Sequence, residues 1–188
     1  LPSAAVLGLI LPEVARATGL PESTPVHCGI HDSNASLLPH VLTRRTPFSV
    51  ASTGTWVISM SMGGAPVLLD PARDTLVNVN ALGAPVPSAR FMGGREFELL
   101  MPGARVTPSD EDIAAVLADG TMLLPALVGD SGPFPDRSAN WLPQEPPAGT
   151  GRRMAAVSYY LALMTAESFR LIGHAGTVVV EGPFARNP

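Results

Sequence analysis

The sequence is poor in the residues that would point to secretion or to nucleic-acid binding. It has one cysteine, Cys28, so no disulfide can form within the chain, and we expect a reducing, cytoplasmic setting. Its 12 Lys and Arg residues are outnumbered by 16 Asp and Glu residues, which gives a net charge of −4. Nucleic acids and anionic membranes bind surfaces with an excess of positive charge, so we expect neither partner.

The sequence also lacks an apolar run long enough to cross a membrane. The longest such stretch near the amino terminus, residues 4–11, is followed directly by Pro12 and Glu13. A spanning helix needs about 20 apolar residues, and a signal peptide would begin with basic residues that are missing here. We therefore predict that this stretch is an ordinary buried element.

Apolar residues, proline and glycine are abundant. Hydrophobic residues make up 46% of the 188 positions, enough for a folded core, while 20 prolines and 18 glycines divide the chain into short units. Strand-like and helix-like units alternate, which indicates an α/β fold. The predicted strands are residues 26–30, 48–52, 55–60, 76–80, 121–124 and 177–181. The predicted helices are residues 12–19, 35–42, 96–100, 109–120 and 152–172.

The densest polar cluster, residues 27–34 (HCGIHDSN), follows a predicted strand and precedes a predicted helix. An Asp at the end of a buried strand is well placed to point into a cleft and accept a proton from a substrate hydroxyl, so Asp32 is a candidate general base. Two other interpretations stay open. Asp32 or Ser33 caps the following helix. Alternatively, His27, His31 and Asp32 bind a metal ion, although a strand-like setting disturbs the spacing of a helical H-x-x-x-H pair.

A second cluster, residues 49–56 (SVASTGTW), joins two predicted strands into a β-hairpin. A Thr53-Gly54-Thr55 tip places hydroxyls beside a residue without Cβ, so a phosphate could approach the backbone closely. We expect Gly54 to supply the positive φ of a tight hairpin turn. Small polar residues also form ordinary turns. The sequence contains no G-x-x-x-x-G-K-[ST], so a phosphate site here would not be a P-loop.

Residues 129–151 form a long segment rich in glycine and proline, which includes Trp141. Loops of this length inside a compact domain are usually functional or disordered. Its start, residues 129–133 (GDSGP), is similar to the nucleophile segment of trypsin-like proteases. That interpretation is disfavoured, because those domains are all-β and a nucleophilic serine needs a positioned His and Asp.

In their order along the chain, these motifs resemble the FGGY carbohydrate kinases. The resemblance is carried by residues 29–36 (GIHDSNAS), residues 52–56 (STGTW), the segment from Gly129 to Trp141, the long helix and residues 178–182 (VVVEG). The first two motifs are most similar to the rhamnulokinase-like branch, whose members carry a His-Asp-(Ser/Thr) motif and then a Ser-(Ser/Thr)-Gly-Thr-Trp hairpin. The resemblance spans nearly the whole chain but covers only the middle and later part of a full family member.

The resemblance implies a ribonuclease H-like, actin-like fold of two lobes with the active site between them. Residues 1–46 would be the end of the amino-terminal, sugar-binding lobe. Residues 47–188 would form most of the carboxy-terminal, nucleotide-binding lobe. Asp32 would be the base that takes the proton from the sugar hydroxyl and would lie near a magnesium ion, and His31 would lie beside it at the sugar.

For the nucleotide, the resemblance implies that Thr53, Gly54 and Thr55 face the β- and γ-phosphates of ATP. Gly182 would begin the turn near the adenosine end, although residues 181–187 (EGPFARN) depart from the family's usual Gly-Gly-Gly run. Residues 91–98 (FMGGREFE) match no general family motif. They are either a feature of a subfamily or simply a Gly-Gly entrance to a helix.

Three functional hypotheses follow. The first is a kinase that uses ATP and magnesium to phosphorylate a hydroxyl of a ketose or a related sugar. The second is an inactive part of such a kinase, because the chain opens on Leu1 and the family's first phosphate motif would precede it. Exposed apolar surface would then favour self-association into homo-oligomers. The third is a metal-dependent phosphohydrolase that uses His31 and Asp32.

Overall fold

Helices and strands alternate along the computed structural model, which describes residues 1–103 and 106–186. The helices are α1 (Pro12–Thr18), α2 (Asp32–Ala35), α3 (Leu38–Thr43), α4 (Gly93–Leu100), α5 (Asp110–Ala118) and α6 (Gly151–Leu171). The strands are β1 (Val6–Leu9), β2 (Pro25–His27), β3 (Phe48–Thr53), β4 (Val57–Met62), β5 (Thr75–Val79), β6 (Pro85–Phe91), β7 (Met122–Leu124), β8 (Asn140–Leu142) and β9 (Thr177–Glu181). This alternation confirms the predicted α/β class.

The chain divides into two compact units. The first comprises Leu1–Arg45 and Val77–Val86, and the second comprises Thr46–Leu76 and Pro87–Pro188. The first unit therefore includes a return segment from the middle of the chain, which no sequence signal indicated. The assignment of the segments before and after residue 46 to two kinase lobes stays a prediction.

The first unit begins with a small antiparallel sheet of β1 and β2 and the short helix α1. α1 has Pro12 in its first turn and ends at Gly19, whose φ is 74°, so the predicted helix is confirmed. The prediction that residues 4–11 are buried is wrong. Val6 is 59% exposed and Leu9 is 61% exposed, because a sheet of two strands covers its own faces poorly.

The predicted helix over residues 35–42 is in fact two shorter helices, α2 and α3. Pro39 lies in the first turn of α3, the part of a helix where the missing N–H of proline costs nothing, so it fixes where α3 begins. The predicted strand over residues 26–30 is also shorter, because Gly29 has a φ of 71° and cannot continue extended backbone.

The largest sheet of the structure has the strand order β5-β6-β4-β3-β9. β3 and β4 form the predicted hairpin, with Thr53 opposite Val57 at its closed end. β9 lies on the other side of β3 and runs parallel to it, with Ser52 opposite Glu181. The strand β6 was missed in the sequence because two prolines at its start weaken the strand pattern.

The long helix α6 packs on this sheet. The spacing of apolar residues in the sequence predicts that four of them share one face of this helix. Each of the four is at most 7% exposed, which confirms the prediction: Val157, Leu161, Met164 and Ile172. Ala51 of β3 and Ala89 of β6 lie in one buried cluster with Phe169 of α6. Small side chains on the strands let the helix lie close to the sheet.

The glycine-rich segment of residues 129–151 is ordered around a strand that the sequence did not reveal. β8 pairs with β7, and Leu123 lies opposite Trp141. The guanidinium carbon of Arg153 lies 5.4 Å from the centre of the Trp141 ring. Arg153 Nε also donates to the Leu100 carbonyl at 2.8 Å, so the segment is held between α4 and α6.

Candidate functional site

Two loops that the sequence singled out lie at one edge of the sheet. β3 and β9 are parallel neighbours, so their carboxyl ends meet there. β3 continues into residues 54–56, which we call the tip turn, and β9 continues into Gly182. In open α/β sheets, ligands commonly bind beyond the carboxyl ends of the strands.

The hydroxyl of Thr53 joins these two loops. It donates to the Glu181 carbonyl at 2.6 Å and accepts from the Phe184 N–H at 3.1 Å. Gly182 has a φ of +85°, and a Cβ on it would lie 2.0 Å from the Thr53 carbonyl oxygen. Only glycine fits this conformation and this contact. Thr53 is only 8% exposed, and its hydroxyl is engaged by both loops. Its role in the structure is therefore to link them.

Gly54 has a different reason for being glycine from the one the sequence suggested. Its φ is not positive, so the expectation of a left-handed hairpin residue is wrong. Its N–H donates to the Trp56 carbonyl at 2.9 Å, which closes the turn through a short local bond instead. A Cβ on Gly54 would meet only that carbonyl oxygen, at 3.8 Å, so the space beside it is open. Thr55 is exposed at the same turn.

Helix α4 begins against the tip turn, and this explains the residues 91–98 that matched no motif. The N–H groups of Gly94 and Arg95 donate to the Thr55 carbonyl at 3.1 and 3.3 Å. A Cβ on Gly94 would lie 2.1 Å from the Gly54 carbonyl oxygen, and a Cβ on Gly93 would lie 2.5 Å from Val57. The glycine pair therefore allows α4 to approach the tip turn closely. This pair was the one signal in the sequence that could have indicated the contact.

The same helix places a carboxyl group in the core. Glu96 is 1% exposed, its Oε1 accepts from the Val128 N–H at 3.1 Å, and its Oε2 has no hydrogen-bond partner among the described residues. Loss of hydration raises the pKa of Glu96, and the Val128 N–H and the nearby Tyr160 hydroxyl offset part of that effect. Burial likewise raises the pKa of Tyr160.

Asp32 lies in the first unit as the first residue of α2. Its Oδ1 accepts from the Ser33 N–H at 2.7 Å and lies 2.8 Å from Nδ1 of His31. The side chain of Asp32 is 91% exposed and that of His31 is 72% exposed, so both are accessible to a ligand. His31 is also the residue that caps the helix, accepting from the Ser33 N–H at 3.3 Å.

The possible metal ligand His27 is engaged elsewhere, because its Nδ1 lies 2.8 Å from the Ala4 carbonyl oxygen. Over residues 1–103 and 106–186, no three His, Cys, Asp or Glu side chains come together as a metal-binding set. In the same residues, no helix is long and apolar enough to cross a membrane. Gly182 is followed by a 3-10 turn, Pro183–Arg186, and Asn187 lies outside the described residues.

The mixed sheet, the long helix packed on it and the joined turns at the ends of two parallel strands agree with the predicted ribonuclease H-like, actin-like architecture. Comparison with known families gives the particular group. Residues 45–188 match the family described as carbohydrate kinase FGGY, C-terminal domain, and the chain belongs to this family. The predicted fold is confirmed by this match.

Solved structures agree with this assignment. The chain is 40% identical to a carbohydrate kinase from Novosphingobium aromaticivorans, over 98% of this chain and 43% of that one, with a TM-score of 0.75. It shares the fold of xylulose kinase from Rhodospirillum rubrum, with 22% identity over 100% of this chain and 40% of that one and a TM-score of 0.63. The chain thus spans less than half of each of these proteins. No curated protein matches its sequence.

The glycine at the start of α4 gives a stability prediction. We expect Gly94→Ala to lower the free energy of unfolding by roughly 1–3 kcal/mol, because the new Cβ has to displace the backbone of the tip turn. Gly54→Ala is the matched control, since its Cβ enters open space, and we expect a change within about 0.5 kcal/mol. Urea unfolding of both variants measures this, and equal stability of the two would contradict the close approach.

The buried Glu96 gives a pH prediction. Its pKa is raised in the folded state, so its contribution to stability is present at low pH and is lost as the pH rises through that raised value. Glu96→Gln removes this dependence, so the melting temperature of the variant should gain on that of the wild type between about pH 4 and about pH 8. Glu98→Gln, on the exposed side of α4, is the control. A difference from wild type that stays constant over this range would contradict the prediction.

Proposed function

We propose that the chain forms part of a kinase that uses ATP to phosphorylate a hydroxyl of a ketose or a related sugar. One observation carries the nucleotide side of this proposal. The tip turn and the Gly182 loop are joined through the Thr53 hydroxyl at the edge of the sheet. Membership of the FGGY carbohydrate kinases supports the sugar side.

Thr53, Gly54, Thr55 and Gly182 are the proposed nucleotide contacts. The open space at the Cβ position of Gly54 fits a phosphate group that approaches the backbone, and the exposed Thr55 hydroxyl can donate to it. Thr53 and Gly182 would act mainly by holding the two loops together. Phosphoryl transfer depends on positioning and on charge stabilisation, so a turn fixed on several sides suits this role.

Asp32 is the proposed general base, with His31 beside it as a sugar contact. An exposed carboxylate can accept the proton of a sugar hydroxyl as that oxygen attacks the terminal phosphate. Carboxylate oxygens are also the ligands that Mg²⁺ prefers, so Asp32 would supply one protein ligand. The ion would neutralise charge on the phosphates when ATP is bound.

The finer parts of the proposal rest on the motifs. The STGTW sequence of residues 52–56 supports the rhamnulokinase-like branch, and the single cysteine supports a cytoplasmic location. Exposed apolar residues of β1, such as Val6 and Leu9, favour self-association. The phosphohydrolase alternative is not favoured, because the relatives are kinases.

Loss of the proposed base should abolish turnover without loss of the fold. In the longest natural protein that contains this chain, we expect Asp32→Asn to lower sugar-dependent ADP release by about 10²–10⁴-fold while sugar binding persists. Glu22→Gln, an exposed acid of the same unit, is the control and should keep wild-type activity. Near-normal turnover of the Asp32 variant would show that another group is the base.

The nucleotide role of the tip turn can be tested in this chain directly. We expect Gly54→Val to weaken binding of Mg–ATP by roughly tenfold or more in calorimetry, because the side chain occupies the space that a phosphate would enter. Since the φ of Gly54 is not positive, this variant should remain folded. Gly8→Val, at another position with nothing near an added Cβ, is the control. Unchanged ATP binding in the Gly54 variant would exclude the proposed phosphate contact.

A further inference from the structure

Trp56 closes the tip turn, yet the proposed phosphate contacts give it no role. Its carbonyl accepts the Gly54 N–H, so the position of Trp56 determines the shape of the turn. The guanidinium carbon of Arg90 lies 4.8 Å from the centre of its indole ring. A cation over the face of a tryptophan is the strongest form of this contact. Arg90 therefore holds the ring from one side.

Arg90 is itself held by Asp74. The Nε of Arg90 lies 3.1 Å from Oδ1 of Asp74, and the Arg90 N–H donates to the Asp74 carbonyl at 3.2 Å. Asp74 has a φ of 54°, one of two positive values among the described residues other than glycine. Asp tolerates this left-handed conformation better than most residues, because its short side chain can form local hydrogen bonds. These contacts fix the carboxylate beneath the arginine.

The second oxygen of Asp74 reaches a motif that the function also left unexplained. Oδ2 accepts from the Gly132 N–H at 2.8 Å, inside the GDSGP sequence. Gly132 has a φ of +94°, and a Cβ on it would lie 2.8 Å from Cβ of Phe91 in β6. The neighbouring Arg73 Nε donates to the Pro133 carbonyl at 2.8 Å. The loop is thus fastened to the strand that carries Arg90.

We propose that Asp74 is a positioning residue for nucleotide binding, which sets the tip turn through Arg90 and Trp56 and couples it to the loop at Gly132. This inference rests on the proposed nucleotide role of the turn. The carboxylate of Asp74 bridges Arg90 and the loop at Gly132, because Oδ1 contacts Arg90 and Oδ2 accepts from the Gly132 N–H. A shift of the loop at Gly132 therefore moves Arg90, and with it the ring whose backbone closes the turn.

The positioning step can be measured without any nucleotide. Asp74→Asn keeps the tolerated backbone conformation and an oxygen for the Gly132 N–H, but removes the charge that holds Arg90. We expect amide hydrogen exchange at Gly54 to rise about 3- to 10-fold in this variant. Exchange at Met154 of α6, whose N–H donates to the carbonyl of Thr150 just before that helix, should not change. Unchanged exchange at Gly54, or equal rises at both amides, would overturn the inference.

The functional consequence is measured with Mg–ATP and the same chain. We expect Asp74→Asn and Arg90→Lys each to raise the dissociation constant of Mg–ATP about 3- to 10-fold. The dissociation constant of the double variant should not exceed the larger of the two single-variant values, because both residues act through one relay. Asp119→Asn, which breaks the exposed pair of Asp119 with Arg152, is the control.

The outcomes separate the inference from the function on which it rests. Faster exchange at Gly54 with ATP binding equal to that of the Asp119 control would overturn the link to the nucleotide. Additive effects of the two variants would overturn the relay. A wild-type chain that binds no ATP would overturn the proposed function, and the exchange pattern would still decide whether Asp74 positions the turn.

Discussion

The parallel pairing of β3 with β9 is the constraint on which the candidate site depends. It places the loops after both strands at one edge of the sheet, and the Thr53 hydroxyl then bonds across them. This bond is possible because Gly182 lacks a Cβ in a position where one would collide with the Thr53 carbonyl. Gly94 makes a similar approach on the other side of the turn, where α4 donates two N–H groups to Thr55. The turn is therefore held by backbone contacts from two elements far apart in the sequence.

Much of the fold was predictable wherever the signal was local. The helix that follows Ser109, the apolar face of α6 and the apolar run of β9 were all predicted correctly from neighbouring residues. The errors arose where tertiary contacts decide. β6 and β8 carry proline or few strand-forming residues and are strands because of their partners. The apolar stretch of residues 4–11 has the composition of a core element, yet among the residues that the structure describes β1 pairs with β2 alone.

The sequence motifs suggested the residues of the candidate site but not the contacts that connect them. Thr53, Gly54, Thr55 and Gly182 were found from motifs, whereas the bond from Thr53 to Glu181 joins residues 128 positions apart. Nothing local distinguishes a glycine that provides a turn from one that permits close packing. Gly54 was therefore assigned the wrong reason, and Gly94 was interpreted only as part of a helix entrance. The contacts of Asp74 with Arg90 and Gly132 and the burial of Glu96 are long-range in the same sense. No spacing rule in one sequence reports them.

The contacts proposed for the nucleotide do not determine which sugar is phosphorylated. Backbone N–H groups, a threonine hydroxyl and the space beside a glycine recognise a phosphate, and a phosphate is the same whichever sugar receives it. Proteins named xylulose kinase and gluconate kinase share this fold with the chain at 22% and 16% identity. An architecture common to kinases with differently named substrates cannot by itself select one of them. On the proposed assignment of Asp32 as the base, the selection would rest with side chains around Asp32 and with the part of the Novosphingobium protein that this chain, at 43% of its length, does not span.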